Sequence, residues 1–292
     1  MLFGVLPPYR TGAVSDPEWL VAFVRHAEAV GFESVYTAEH LVVPADYTTP
    51  YPYAPSRRML LPVDAAIPDP LELLAFCAAH TDRLRLGTGI VVLPLHNPVQ
   101  LAKRAATVDV LSGGRLILGV GVGWLREEAD AVGVPFDQRG ARTDEAIAAL
   151  RVLWAEDEPS FSGRFWQFER ACSYPKPLAR KVPIHIGGHS RAAARRAGRL
   201  GDGFHPLGLD DDGLRDRLAA LRRAADAAGR DADVIELTLG GGLVDTGDEA
   251  IERARSFGAA RMVLGTRERD IAKVRDQLSA FADRFIAAGA PA

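Results

Sequence analysis

The chain has 292 residues, a formal net charge of −3 and a hydrophobic fraction of 48%, values that are typical of a globular protein. This charge gives no electrostatic basis for binding nucleic acid or an anionic membrane, and no apolar run reaches transmembrane length. The two cysteines, Cys77 and Cys172, lack the spacing of metal ligands, so we expect no disulfide, no metal site and a reducing, cytoplasmic setting.

Apolar runs and helix-start signals alternate along the chain. The segment Leu2–Leu6 predicts a first strand. Asp16 and Pro17 predict a helix start, because aspartate caps free N–H groups and proline suits the first helical position. Asp69-Pro70 and Asn97-Pro98 repeat this signal. In chain order, the predicted strands are 2–6, 34–36, 84–90, 115–120, 183–187, 203–205, 234–239 and 261–264, and the predicted helices are 17–30, 71–80, 98–111, 141–154, 190–200, 211–228, 248–257 and a last one to about 287.

The predicted strands are continuous apolar runs, as in sheets that helices cover on both faces. Eight such strands, each followed by a helix, predict a parallel sheet closed as a (β/α)8 TIM barrel, with a doubly wound open sheet as the alternative. We interpret residues 1–292 as one domain with an active-site loop at about 41–69 and an aromatic flap at about 158–180. In such a barrel the functional residues follow the carboxyl ends of the strands.

Glu39 and His40 follow the second predicted strand and precede the long loop 41–69. Loops of this length usually cover a site, and this one carries side chains that suit a planar or anionic substrate. These side chains are Tyr47, Tyr51, Tyr53, Arg57 and Arg58. Histidine exchanges protons near neutral pH, so His40 is a candidate acid or base. The alternative is that Glu39 and His40 form a structural hydrogen-bonded pair at the barrel rim.

Glycines cluster at three predicted strand ends. Gly89, beside Ile90, interrupts a β-branched run and predicts either a close approach to a ligand or a corner of the barrel. Residues 119–123 have GxGxG spacing rather than the GxGxxG of dinucleotide-binding folds, so we predict a flat ring against these glycines instead. Gly187 and Gly188 precede a helix start, whose free N–H groups attract phosphate; a tight strand-to-helix corner is the alternative.

The sequence contains no HExxH, GxSxG or Walker lysine motif, which disfavours metal hydrolysis, serine hydrolysis and P-loop chemistry. Taken in order, its motifs resemble the luciferase-like flavin and deazaflavin oxidoreductases, and more narrowly the branch that uses coenzyme F420. The resemblance covers nearly the whole chain. It is carried by 31–36 with Glu39 and His40, 84–92 with Asn97 and Pro98, 111–124, Glu127 and Glu128, 133–136, Arg139 and Gly140, 174–177, and 186–204.

The resemblance implies a bacterial-luciferase-like barrel that works as a homodimer and holds F420, or FMN as the alternative, without a metal ion. Gly187, Gly188 and the N–H groups of His189 and Ser190 would bind the cofactor phosphate. This assignment extends the phosphate site already suggested by the helix start.

The resemblance also implies how the cofactor ring is surrounded. Gly89 and Ile90 match the position of a bulge with a non-prolyl cis peptide behind the central ring. His40 matches a histidine near the reactive face, where it would contact the cofactor and serve as the proton partner of hydride transfer. Three further residues would border the ring and the substrate pocket: Gly121, Gly123 and Trp124.

Two departures separate the chain from the sugar-phosphate dehydrogenases of this branch. Those enzymes have a catalytic glutamate where this chain has Trp124, and a lysine near the substrate phosphate where this chain has 206–208. We therefore predict hydride transfer to or from a flatter, less charged molecule, an enone, imine or carbonyl compound. The candidate catalytic residues are His40, Glu39 and Trp124. An FMN-dependent monooxygenase and a non-catalytic flavin- or deazaflavin-binding protein are the alternatives.

Overall fold

Strands and helices alternate along residues 1–287, the part of the chain that the computed structural model describes. The last residues of the predicted domain, 288–292, lie outside this part. In chain order the elements are β1 (Leu2–Leu6), α1 (Pro17–Ala29), β2 (Ser34–Thr37), α2 (Pro70–Ala78), β3 (Arg85–Thr88), β4 (Val91–Val92), α3 (Pro98–Leu111), β5 (Leu116–Gly121), α4 (Arg126–Ala131), α5 (Arg139–Ala155), β6 (Phe161–Ser162), β7 (Gln167–Phe168), β8 (Ile184–Gly187), α6 (Arg191–Leu200), β9 (Gly203–His205), α7 (Asp211–Ala227), β10 (Glu236–Gly242), α8 (Asp248–Ser256), β11 (Ala259–Gly265) and α9 (Ile271–Phe285). None of these helices has the length and hydrophobicity that crossing a bilayer requires.

The parallel strands close into a barrel. β1 lies between β2 and β11, and the sheet continues through β10, β9, β8 and β5. Pairing of β3 with β5, which sets Leu86 opposite Leu116 and Gly87 opposite Ile117, closes the ring. Because β3 and β4 are two pieces of one strand, the ring has eight strands. The (β/α)8 prediction is therefore confirmed, and the open doubly wound sheet is wrong.

The strand predicted at 84–90 is broken before its end. β3 stops at Thr88, the peptide bond between Gly89 and Ile90 is cis, and the chain resumes as β4 beside β5. The break lies where the resemblance implies a bulge with a non-prolyl cis peptide, and this expectation is confirmed. The apolar pattern alone does not show the break, because Ile90, Val91 and Val92 continue the same run.

Side-chain caps start the first three helices. The Asp16 carboxylate accepts hydrogen bonds from two backbone N–H groups of α1, at 3.0 and 3.2 Å. Asp69 caps α2 in the same way, and Asn97 accepts one N–H of α3 at 2.9 Å. These caps confirm the predicted helix starts. The sequence signals do not predict α4, because Arg126–Ala131 is too short to show a helical period of apolar residues.

A buried ion cluster ties three strands together at the amino-terminal end of the barrel. Arg261 of β11 is fully buried and donates to Glu33 at 2.8 and 2.9 Å and to Glu236 at 3.0 Å. Burial favours the neutral form of Glu33, but the Arg261 guanidinium more than offsets this and lowers the pKa of that carboxyl. The cluster lies near the starts of the strands, at the end of the barrel opposite to their carboxyl ends.

The aromatic segment predicted as a flap contains a small antiparallel hairpin. Phe161 of β6 pairs with Phe168 of β7, and their rings stack with centroids 5.6 Å apart. Glu145 of α5 accepts hydrogen bonds from three successive backbone N–H groups, 164–166, at 2.8 to 2.9 Å. The hairpin is therefore fastened to α5, and its role as a flap over the site stays a prediction.

Candidate active site

The carboxyl ends of the strands bring His40 and Trp124 to one mouth of the barrel. β2 ends at Thr37, shortly before His40, and β5 ends at Gly121, shortly before Trp124. Parallel strands end at the same edge, so residues distant in sequence meet there. The rings of His40 and Trp124 lie edge to face with centroids 5.9 Å apart.

Glu39, predicted as a catalytic residue, is an internal anchor in the structure. Its carboxylate lies 2.9 Å from His96 Nε2 and accepts the N–H of Val92 at 2.5 Å. Only 1% of the Glu39 side chain is exposed. Both of its oxygens hold the chain that follows the cis peptide, so Glu39 does not face the mouth. The alternative of a hydrogen bond between Glu39 and His40 is also wrong, because each binds a different partner.

His40 is held by a glutamate of the helix that follows β5. Its Nδ1 atom lies 2.9 Å from one carboxylate oxygen of Glu128 on α4, whose other oxygen accepts the N–H of Leu41 at 2.6 Å. The Glu128 side chain is 1% exposed and that of His40 is 13% exposed. A carboxylate acceptor keeps the proton on Nδ1, which leaves Nε2 with no partner within residues 1–287. Nε2 is therefore the ring atom that is available to give or accept a proton.

Trp124 forms an aromatic wall with the long loop. Tyr47 and Tyr51 contact the indole edge to face, with centroids 5.5 and 5.0 Å from it. Tyr47 is buried, and its hydroxyl accepts the N–H of Met59 at 2.9 Å. Together with His40, these rings form a mostly aromatic surface that carries a few polar groups, a composition found in small-molecule sites. The wall is a feature that the sequence shows only as scattered aromatic residues.

The same loop crosses the mouth towards β8. Tyr53 packs against Tyr51 at 5.4 Å and against the His189 ring at 4.9 Å between centroids. Burial raises the pKa of the Tyr53 hydroxyl to about 12, so it stays neutral. The active-site loop therefore joins the His40 side of the mouth to the predicted phosphate site.

A second glutamate of α4 holds the middle of this loop. Glu127 accepts the N–H groups of Thr48 and Thr49 at 2.6 and 3.1 Å and their hydroxyls at 3.0 and 2.7 Å. Burial opposes ionisation, but the hydrogen bonds from Thr49 and Thr48 lower the pKa of Glu127 to about 2. The adjacent carboxylates of Glu127 and Glu128 thus fix the loop at its middle and at its start.

The mouth glycines make room for side chains of the protein itself. A Cβ atom at Gly121 would lie 2.7 Å from Ile90 Cδ1, and one at Gly187 would lie 2.6 Å from Ile90 Cγ2. A Cβ atom at Gly123 would lie 2.6 Å from Val92 Cγ1. These distances are below van der Waals contact, so a larger residue at any of these positions requires the Ile90 or Val92 side chain to shift. The structure thus gives a packing role to Gly121 and Gly123, which the resemblance places beside the cofactor ring, and to Gly187, which it places at the phosphate.

The turn before α6 has the backbone of an anion site. Gly188 has a φ of +116°, which L side chains rarely adopt, and its N–H donates to the His205 carbonyl at 3.3 Å. Ser190 caps α6 by accepting the N–H of Ala193 at 3.1 Å. The N–H groups of His189 and Ser190 precede the first helical turn and lie at the positive end of the helix dipole. Of the predicted phosphate donors, these two N–H groups are the ones that the fold leaves available.

Two further groups mark this turn. His189 Nδ1 is buried without a hydrogen-bond partner in the described part of the chain. Arg217 of α7 donates its Nε–H to the His189 carbonyl at 2.8 Å and so brings a positive charge beside the turn. Burial, followed by the charge of Arg217, lowers the pKa of His189. The N–H groups of His189 and Ser190 and the His189 ring suit a phosphate, although the Arg217 guanidinium beside them also binds Asp216.

Tyr36 and His205 lie beneath the cis peptide, and the sequence assigns neither of them a role. Their rings meet edge to face at 5.8 Å, and a Cβ atom at Gly89 would lie 3.3 Å from Tyr36 and 3.8 Å from His205. Burial raises the pKa of Tyr36 to about 12 and lowers that of His205 to about 4, so both are neutral. The Tyr36 hydroxyl is buried and has no partner within residues 1–287. Their position at the carboxyl ends of β2 and β9 is the signal that was available in the sequence.

Among the residues that the structure describes, no cluster of histidine, cysteine and acidic side chains has the arrangement of a metal site. Cys77 is buried and Cys172 is exposed, and both are free thiols. Burial raises the pKa of Cys77 to about 12, so it carries no thiolate near neutral pH.

Sequence comparison relates the chain to proteins with two kinds of cofactor. A profile of luciferase-like monooxygenases matches residues 1–287. An uncharacterized protein of Mycobacterium tuberculosis is 31% identical over 257 residues, which are 87% of this chain and 87% of that protein. The F420-dependent glucose-6-phosphate dehydrogenase of Kineococcus radiotolerans is 33% identical over 232 residues, 76% of this chain and 63% of the relative. The FMNH2-dependent dimethylsulfone monooxygenase of Pseudomonas putida is 37% identical over 155 residues, 52% and 42% of the two chains.

Solved structures share the barrel. The monooxygenase RslO1 from Streptomyces bottropensis superposes with a TM-score of 0.81 at 23% identity and covers 99% of this chain and 100% of its own. An F420-dependent secondary alcohol dehydrogenase, solved with an F420-acetone adduct, has a TM-score of 0.74 at 20% identity and covers 98% of each chain. At these identities the likeness concerns the fold.

Proposed function

The chain belongs to the luciferase-like monooxygenase family, and we propose that within this family it is a coenzyme F420-dependent oxidoreductase. It transfers a hydride between the deazaflavin and a small organic molecule of the enone, imine or carbonyl type. The relatives named for their cofactor use either F420 or FMNH2, so a flavin-type cofactor is common to them.

The observation that carries the proposal is the fixed orientation of His40. Glu128 accepts the Nδ1 proton at 2.9 Å, and Nε2 is left for the mouth of the barrel. Hydride transfer to a carbonyl or imine carbon places negative charge on the adjacent heteroatom, which then needs a proton. A histidine held in one orientation at an apolar mouth supplies or accepts that proton.

The donor set before α6 suits the phosphate that F420 and FMN both carry. The N–H groups of His189 and Ser190 would hold it, with His189 Nδ1 and the Arg217 guanidinium beside them. When bound, a reduced deazaflavin supplies the hydride. The protein positions the ring and excludes water, and the neutral Tyr36 and His205 would offer hydrogen bonds below the cis peptide.

The aromatic wall favours a flat and weakly charged substrate. Trp124, Tyr47 and Tyr51 offer ring surfaces, and the positions after β9 carry Pro206 and Leu207 instead of a lysine. No lysine follows β9 to bind the phosphate of a sugar, and Arg58, the basic residue beside the wall, already stacks on the Tyr47 ring and donates to the Tyr47 carbonyl at 2.8 Å. We also propose that the protein works as a homodimer, as the family resemblance implies, and that its partner in the reaction is a freely diffusing small molecule.

A direct titration of the purified protein with coenzyme F420 and, separately, with FMN tests the proposal through the fluorescence of each ring. We expect F420 to bind at least about tenfold more tightly, a difference of about 1.4 kcal/mol. Gly188→Val is the matched variant, because valine does not adopt the φ of +116° found there, and it should weaken binding. Selective binding of FMN, or of neither cofactor, would overturn the proposal.

An FMN-dependent monooxygenase is the second candidate. It is favoured by the 37% identity to the FMNH2-dependent dimethylsulfone monooxygenase over 155 residues. Reduced flavin activates oxygen, so this candidate predicts oxygen consumption coupled to hydroxylation of a substrate. Oxygen uptake with FMNH2 but no hydride transfer with F420 would establish it over the first.

A further inference from the structure

The helix α6, which starts at the predicted phosphate site, carries an unusual charge. Its sequence contains Arg191, Arg195, Arg196 and Arg199 and no acidic residue. Three of these arginines follow one another at intervals of four residues, so they share one helix face and extend for about 12 Å along the axis. The fourth, Arg196, is buried on another face and binds Asp144.

The arginine face of α6 forms one side of a groove with α7. Arg191, Arg195 and Arg199 line it from α6, and Arg223 lines it from α7. Its floor consists of small side chains, Ala220, Ala224, Ala227 and Ala228, and its volume is about 480 Å³. Because alanine side chains are short, the floor stays open between the guanidinium groups. We call this surface the arginine groove.

The charges of the arginine groove are only partly neutralised. Arg191 donates to Asp216 at 2.8 Å, and Arg199 donates to Asp144 at 2.8 Å. Arg195 and Arg223 are exposed and form no ion pair within residues 1–287. The protein as a whole is slightly acidic, with a formal net charge of −3. A local excess of positive charge in the middle of a groove therefore stands out and is complementary to a ligand with several carboxylates.

The groove begins where the phosphate site ends. Arg191 is the first residue of α6 and directly follows Ser190, whose N–H group belongs to the phosphate donor set. A ligand whose phosphate sits at this turn and continues into a chain of carboxylates would pass Arg191 first and Arg195 one helical turn later. Coenzyme F420 continues beyond its phosphate into a chain of linked glutamates, whereas FMN ends at the phosphate.

We propose that the arginine groove binds the oligoglutamate tail of coenzyme F420. This inference rests on the proposed function and extends it to a second binding site on the outer surface of the barrel. Arg195 and Arg223, which are free of ion pairs in the described chain, are the main contacts, and Arg191 and Arg199 line the two ends. The groove thereby gives a physical reason for selecting F420 over FMN that the barrel mouth does not give.

Paired titrations test the groove. The probes are F420 with five or more glutamates and a trimmed F420 that retains the phosphate but has no glutamate. We expect the wild-type protein to bind the long form about 3- to 10-fold more tightly at low salt, because exposed charge pairs contribute modestly and are screened by salt. In the double variant Arg195→Gln with Arg223→Gln, the two forms should bind with about equal affinity, and the affinity for the trimmed form should be the same as in the wild type.

Arg222→Gln is the matched control. Arg222 is an exposed arginine of α7 that binds Asp233 at 2.9 Å and does not line the groove, so the tail preference should persist in this variant. Equal affinities of the wild type for the two forms, or a preference that survives in the double variant, would overturn the inference alone. Failure of both forms to bind would overturn the inference together with the proposed function.

Discussion

Two buried carboxylates each bind and orient one histidine near the carboxyl ends of the strands. Glu39 and Glu128 each have 1% of the side chain exposed, and each binds one imidazole, Glu39 that of His96 and Glu128 that of His40. The sequence places Glu39 directly before His40, which suggests that they act together. The chain geometry separates them, because Glu39 is engaged by Val92 and His96 after the cis peptide.

Replacing His40 by alanine is expected to lower turnover by about 10²- to 10⁴-fold, the usual contribution of a positioned acid or base. The affinity for the cofactor should change far less, because the phosphate turn lies at the other side of the mouth. Turnover is measured by steady-state kinetics with a substrate found in a screen of enones, imines and carbonyl compounds. The affinity for the cofactor is measured by titration. Turnover that is unchanged in His40→Ala would remove this residue from the mechanism.

Glu128→Gln is the companion variant of this experiment. Glutamine still offers an oxygen to His40 Nδ1, but it has no charge and no second acceptor for the N–H of Leu41. Its loss of turnover should be smaller than that of His40→Ala. The ¹⁵N chemical shifts of the His40 ring should change from the values of one tautomer to the averaged values of two tautomers. A purely structural role of Glu128 would not cause this change.

Adding a methyl group at Gly121 is expected to destabilise the fold by about 1–3 kcal/mol, the usual cost of overpacking. The new Cβ atom would lie 2.7 Å from Ile90 Cδ1. Ile90→Val removes that atom and should recover part of the loss in the double variant. Urea unfolding measures both, and Gly247→Ala, which meets no atom within 4 Å, is the control. A Gly121→Ala variant as stable as the wild type would show that Ile90 moves aside without cost.

At the scale of elements, the short helix α4 controls a loop much longer than itself. Glu128 holds the start of the loop at Leu41, and Glu127 holds its middle at Thr48 and Thr49. Aromatic contacts then extend the loop across the mouth to His189 through Tyr53. A helix of 6 residues has little stability of its own, so these tertiary hydrogen bonds stabilise α4 and the loop mutually.

Acidification should release the middle of this loop. The pKa of Glu127 in the folded protein, about 2, lies below its ordinary value of 4.5. The carboxylate therefore stabilises the folded loop fully above about pH 4.5, and this stabilisation is lost as the pH falls towards about 2. Hydrogen exchange of the Thr48 and Thr49 amides, corrected for intrinsic rates, should show falling protection over this range.

Glu127→Gln provides the control for this pH dependence. Its amides at Thr48 and Thr49 should exchange faster than those of the wild type at neutral pH, and their protection should not depend on the charge of residue 127. If wild-type protection at these amides were constant down to about pH 2, the aromatic contacts of the loop and not Glu127 would hold it.

At the scale of the whole molecule, barrel closure creates both the mouth and the surface beside it. The ring of strands brings β2 and β5 close enough for His40 to meet Glu128 and Trp124. The neighbouring strands β8 and β9 set the helices that follow them, α6 and α7, side by side, and the arginine groove lies between these helices. The Arg261 cluster fastens the opposite end, so the mouth is built on a rigid scaffold.

The sequence by itself determined the order of the eight barrel strands and of the helices other than α4, the capped helix starts, the barrel class and the meeting of His40 with Trp124. These features depend on local propensity, on apolar patterning and on the rule that parallel strands end at one edge. Only the tertiary structure decided which side chains are partners: Glu39 with His96, Glu128 with His40, and Ile90 beside Gly121 and Gly187. Such contacts join residues that are far apart in sequence, and their distances exist only after the barrel has closed.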